Sequence, residues 1–72
     1  MKVTKGKLEK LGIGTVLMLP TEEFVRIISP YEGVIGAYKV QFLEMDGDGS
    51  YIPTGEERWM RATDLIGAET DE

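Results

Sequence analysis

Ala37-Tyr38-Lys39-Val40-Gln41-Phe42-Leu43-Glu44-Met45-Asp46-Gly47-Asp48-Gly49-Ser50 is the stretch that decides the fold class. Tyr38, Val40 and Phe42 alternate with Lys39, Gln41 and Leu43. A period of two marks a strand with one apolar face and one mostly polar face. The two Asp-Gly pairs that follow are a hairpin signal, because Asp and Gly tolerate the positive φ that tight turns require. Ala37 to Met45 therefore reads as a strand that turns back at Asp46–Ser50.

Outward from this strand the pattern of strand and turn repeats. Gly14-Thr15-Val16-Leu17-Met18-Leu19 is β-rich and is stopped by Pro20, which cannot donate to a ladder. Thr21-Glu22-Glu23 makes a polar turn, Phe24-Val25-Arg26-Ile27-Ile28 a second strand, and Ser29-Pro30-Tyr31-Glu32-Gly33 a break. Beyond the Asp-Gly turn, Tyr51-Ile52 begins a return that Pro53-Thr54-Gly55 interrupts, and Glu57 to Ala62 reads as a further strand. Thr63-Asp64-Leu65 predicts one turn of 3₁₀ helix, capped by Thr63 or Asp64, ahead of Ile66. A helix competes at Lys5 to Leu11 alone, where Gly12 and Gly14 end it almost at once. The expectation is an all-β domain of about five short antiparallel strands. So few strands bury a shared core by curling into a barrel.

Composition bounds the remainder. The chain has 72 residues, nine glycines and three prolines, and neither cysteine nor histidine. That length suits one domain, which buries only about 60% of its unfolded surface. The missing cysteines point to a reducing compartment. No apolar run near the basic N-terminus is long enough for a signal peptide or membrane span, so a cytoplasmic location is expected. Residues 1–12 carry a count of +3, from Lys2, Lys5, Lys7 and Lys10 against Glu9, and read as a frayed, solvated arm. Residues 13–67 form the barrel, and residues 68–72 read as an acidic tail with nothing to pack.

Three segments carry a family resemblance. Gly12-Ile13-Gly14-Thr15-Val16 resembles the glycine-then-strand opening of SH3-like small barrels of the Tudor, chromo-barrel and KOW type. Ala37 to Phe42 resembles their central Y-x-V-x-F strand, and Trp59-Met60-Arg61-Ala62-Thr63-Asp64-Leu65 their closing strand and 3₁₀ turn. The connection from Asp46 to Arg58 is longer than in that family, and the acidic loop and aromatic row of proline-binding SH3 domains are missing. The resemblance implies a fold and a habit of binding, and it assigns no ligand.

Little in the chain is suited to catalysis. Without His or Cys, a nucleophile–base pair would need a serine or threonine beside a lysine, and nearly all lysines lie in the N-terminal arm. Glu56 and Glu57 are adjacent, so on a strand they point to opposite faces. Gly33-Val34-Ile35-Gly36 lacks the spacing and the following helix of a phosphate loop. Asp46, Asp48, Ser50 and Glu57 match calcium-loop spacing, but Tyr51 stands where that loop needs glycine, Pro53 follows, and no helix flanks either side. A hairpin turn is the better reading. No enzyme activity, cofactor or metal site is expected.

Six aromatics remain to be placed. Tyr38, Phe42 and Phe24 read as core, while Tyr31 and Tyr51 lie in polar turns and Trp59 stands between Arg58 and Arg61. Packing against the barrel is the plainest reading of Trp59. Exposed aromatics beside acids also anchor protein interfaces, and in a Tudor-like cage they hold methylated cations. The leading expectation is an acidic, regulatory or inhibitory interaction module docking onto a protein partner with a basic surface. The contact residues would be Tyr31, Tyr51 and Trp59 with Asp46, Asp48 and Glu57, gathered at an open barrel end. The alternative is a KOW-like nucleic-acid binder using Lys2, Lys5, Lys7, Lys10, Arg26 and Lys39, which the net charge of −5 opposes. A third reading is a structural subunit of a larger assembly, suggested by apolar runs such as Val16 to Leu19.

Overall fold

The structure is a computed structural model and describes residues 1–70. Four antiparallel strands, β1 (Val16–Met18), β2 (Phe24–Glu32), β3 (Ala37–Met45) and β4 (Tyr51–Met60), form one sheet in the order β1-β2-β3-β4. Two single-turn helices, α1 (Lys5–Leu8) and α2 (Ala62–Leu65), flank the sheet in sequence. The period-two stretch from Ala37 to Met45 is β3 to the residue.

The sheet corrects two expectations, since it has four strands where about five were expected and β1 does not pair with β4 to close a barrel. Tyr51-Ile52 and the segment after Glu57 belong to one strand, because a bulge absorbs the Pro53-Thr54-Gly55 interruption. Gln41 opposes Glu57 while Leu43 opposes Pro53, so the extra residues loop out of the ladder. Gly55 takes φ +94° there, which a side chain would resist. β2 likewise runs through Ser29 and Pro30, with register shifts between Ile27 and Ser29 and between Ser29 and Glu32. The expected break is an irregularity within a longer strand.

The inner face of the sheet carries Leu17, Val25, Ile27, Tyr38, Val40 and Phe42, all buried. An open meander leaves such a face in water unless another layer covers it. The cover comes from both chain ends, which supply Val3, Leu8, Leu65 and Ala68 to the same cluster, with Leu11, Met60 and Ala62 packed against it. The basic arm and residues 68–70 of the acidic tail are therefore not loose. Val3 donates to the carbonyl of Ala68 (2.8 Å) and Gly67 donates to that of Val3 (2.8 Å). Ala68 is fully buried, whereas Asp71 and Glu72 lie outside the described residues. The lysines between Val3 and Leu8 stay exposed or half-buried, which gives this segment an apolar side despite its charge.

Local chemistry fixes both helices. The Thr4 hydroxyl accepts from the Lys7 amide (3.2 Å) at the start of α1. The expected helical turn is present, as α-helix and starting at Ala62; its N-cap is Arg61 and not Thr63 or Asp64, and Asp64, inside the turn, accepts from the Arg61 amide (3.2 Å).

Candidate functional site

The six residues expected at one barrel end lie on separate parts of the sheet. β2 and β3 join at the Ala37 end of β3, and β3 and β4 join at the Met45 end. Tyr31 therefore lies at one end and Tyr51, Asp46 and Asp48 at the other. Trp59 opposes Lys39 while Tyr51 opposes Met45, which separates the two rings by about 20 Å along the strand at the usual rise per residue.

Trp59 and Glu57 are together on the outer face of the sheet, joined through Lys39. The Lys39 ammonium lies 5.7 Å from the Trp59 ring centroid and 3.5 Å from a Glu57 carboxylate oxygen. All three are substantially exposed, so the cluster contributes little to stability. Arg58 projects to the inner side, where its guanidinium lies 5.1 Å from the Phe42 centroid and its Nε pairs with Glu56. Tyr51 is half-buried against Phe24, with ring centroids 5.2 Å apart.

In the Asp46–Ser50 turn one oxygen of Asp46 accepts from the amides of Asp48 and Ser50, both at 2.9 Å. That carboxylate is a turn-forming group satisfied by its own backbone. Among the described residues no group of three or more His, Cys, Asp or Glu side chains converges.

The basic residues are divided too. Lys5 and Lys7 lie on α1, in the layer that covers the inner face, and Lys10 follows it. Arg26 and Lys39 alternate with the buried Val25, Ile27 and Val40, and so project from the opposite face. No single stripe gathers all six cations.

A well-formed concavity lies at the Tyr31 end. It is a groove of about 890 Å³ between α1, α2 and the ends of β2 and β3. Its apolar lining includes Leu11, Ile13, Pro30, Tyr31, Tyr38 and Ile66, with Lys5 and Glu9 on the α1 wall. Ile13, Tyr31 and Ile66 are 65%, 53% and 38% exposed, which is unusual for such large apolar groups side by side. Tyr31 leans on Tyr38, with centroids 5.3 Å apart. Burial pushes the Tyr38 hydroxyl above the ordinary tyrosine pKa, and the neighbouring Glu9 and then Tyr31 add to the shift.

The adjoining hairpin tip, Gly33-Val34-Ile35-Gly36, is apolar where turns are normally polar, and Val34 is 96% exposed. Glu32 holds this tip in place. Its carboxylate accepts from the Val34 amide (3.2 Å) and its carbonyl from the Gly36 amide (2.6 Å). Sequence reasoning placed Tyr31 in a binding surface and missed Ile13, Ile66 and Leu11. The signal available was apolar residues set between glycines, at Gly12-Ile13-Gly14 and at Gly33-Val34-Ile35-Gly36.

The chain matches no protein-family model, and comparison with curated proteins and with solved structures gives no match.

Proposed function

We propose that this chain is a non-catalytic interaction module that seats an apolar segment of a protein partner in the groove between α1, α2 and the ends of β2 and β3. The observation that carries this reading is the set of exposed apolar side chains, Ile13, Tyr31 and Ile66, that line one concave surface. A monomer rarely leaves a contiguous apolar patch of this kind in water, and aromatic and aliphatic groups around a pocket are what anchor an interface. Lys5 and Glu9 give the α1 wall one charge of each sign, which suits a partner segment with polar flanks.

The meander followed by a helical turn has the element order of an SH3-like small barrel left open on one side, and binding through an exposed end is the habit of that class. The net charge of −5 favours encounter with a partner whose surroundings are basic, and the groove then supplies the short-range contacts.

The test is capture of the partner from host lysate by the wild-type chain and by Ile66→Glu and Ile13→Glu. Ile13 is largely and Ile66 partly exposed, and circular dichroism of each variant checks that the fold is kept. One protein retained by the wild type and lost from both variants supports the groove. Equal retention by all three rules the groove out.

A further inference from the structure

The strand order leaves the sheet with two edges. Glu69 occupies the outer side of β1, where it and Met18 exchange backbone hydrogen bonds of 2.9 and 2.8 Å. Among the described residues nothing pairs with the outer side of β4. An open edge presents unpaired N–H and C=O groups and acts as a template for another strand.

The first half of β4 is guarded against such pairing. Pro53 lacks a donor, and the bulge before Glu57 breaks the regular ladder. From Glu57 to Met60 the strand is regular, opposing Gln41 to Tyr38 without a shift. Arg61, the N-cap of α2, follows with an extended backbone (φ −71°, ψ 158°); its amide and carbonyl are both engaged by Asp64, so it brings its side chain and not its backbone to the edge. Alternation puts Glu57, Trp59 and Arg61 on the outer face and Arg58 and Met60 on the inner one.

This segment is complementary to itself. We infer that the Glu57–Arg61 edge pairs antiparallel with the same edge of a second copy of this chain, about a two-fold axis through Trp59. In that register Glu57 opposes Arg61 of the second copy and Arg61 opposes its Glu57. The two Trp59 rings meet at the axis on the same face, and Arg58 opposes Met60. Each Glu57 carboxylate has oxygens enough to engage both Lys39 of its own chain and the incoming guanidinium. Moving the axis one residue back, to Arg58, would set two guanidiniums opposite each other. Moving it one forward, to Met60, would leave Glu57 without its counterpart. Charge therefore selects the Trp59 axis.

The product is an eight-stranded sheet, and none of Glu57 to Arg61 lines the groove, so this interface is distinct from the partner site proposed above. Its pairing is short, four strand residues from each chain with the Arg61 side chain beyond them, so the dimer is weak and depends on concentration.

Sedimentation of the full chain from micromolar to millimolar concentration tests the assignment. The wild type should pass reversibly from monomer to dimer. Glu57→Arg and Arg61→Glu should each raise the dissociation constant about tenfold or more, because two attractive pairs per dimer become repulsive. The double charge swap should restore dimerisation to near the wild-type value. Should either reversal disturb folding, Glu57→Gln and Arg61→Gln report the same edge through a smaller weakening. A chain that stays monomeric over the whole range overturns the inference. So does a dimer indifferent to the single reversals, which would assign association to another surface.

Discussion

Met18 and Glu69 are joined by a reciprocal pair of backbone hydrogen bonds, 2.9 and 2.8 Å long, across 51 positions of sequence (69 minus 18). The C-terminal segment therefore lies where a barrel-closing strand would run, and β4 is left as the free edge. The same segment holds the N-terminus, since Thr70 donates to the carbonyl of Met1 (2.9 Å). The two ends together cover the core and form one side of the groove.

Leu8 and Leu65 should behave as core residues although they sit in the outermost helical turns. Leu8 is 1% exposed and Leu65 is fully buried. Leu8→Ala and Leu65→Ala should each cost about 2–5 kcal/mol in urea denaturation. Lys7→Ala, beside the first, should change stability by less than about 0.5 kcal/mol. In a chain this short the total is a few kcal/mol, so either leucine variant should be largely unfolded.

How much of this was legible in the sequence differs by region. β3 and the Asp46–Ser50 turn follow from local rules, because side-chain alternation and Asp-Gly chemistry do not depend on the rest of the chain. The closing helical turn was legible too, although its N-cap is Arg61 where Thr63 or Asp64 was expected. The continuity of β4 did not, since Pro53 and Gly55 signal a break and only pairing with β3 shows that the strand resumes in register. Val3, Leu8 and Ala68 were hidden for another reason. Each is a lone apolar residue among charged or small ones, and its burial is decided by where the two ends meet. The groove is likewise a product of that meeting, so of its lining only Tyr31, and Lys5 in the nucleic-acid alternative, were anticipated as binding residues.

Asp46 and Asp48 look equivalent in sequence and should separate on mutation. Asp46→Ala removes the acceptor for two amides and should destabilise by about 1 kcal/mol. Asp48→Ala should be close to neutral. Thermal melts of the two variants beside the wild type make the comparison. Equal losses would contradict the turn-forming role of Asp46.

Tyr38 gives the chain an alkaline sensitivity. Its folded pKa lies above the ordinary value of 10.0 because burial, then Glu9, then Tyr31 disfavour the phenolate. The unfolded chain therefore loses this proton first. The stabilisation is full below about pH 10 and is lost as pH rises through the folded pKa. Tyr38→Phe should flatten this fall, and tyrosinate absorbance of the folded protein should show one tyrosine titrating late. A slope unaltered in Tyr38→Phe would assign the sensitivity elsewhere.

Glu22 adopts φ +71° in the β1–β2 turn, where its amide donates to the Leu19 carbonyl (2.8 Å). A left-handed conformation costs a side-chain-bearing residue about 1–2 kcal/mol, part of which glycine gives back as unfolded-state entropy. Glu22→Gly should therefore raise stability by up to about 1 kcal/mol, measured as a higher urea midpoint. A lower midpoint would mean that the turn tolerates Glu22 without strain.

The groove is best tested by site-specific photo-crosslinking, with a photoreactive residue at Tyr31 or at Ile66 and a control at Ile52 on β4, whose exposure is similar to that of Tyr31. The result predicted is one protein joined at both groove positions and not at Ile52. Cross-links of equal yield at all three positions, or at Ile52 alone, would contradict a docking site at the Tyr31 end of the sheet.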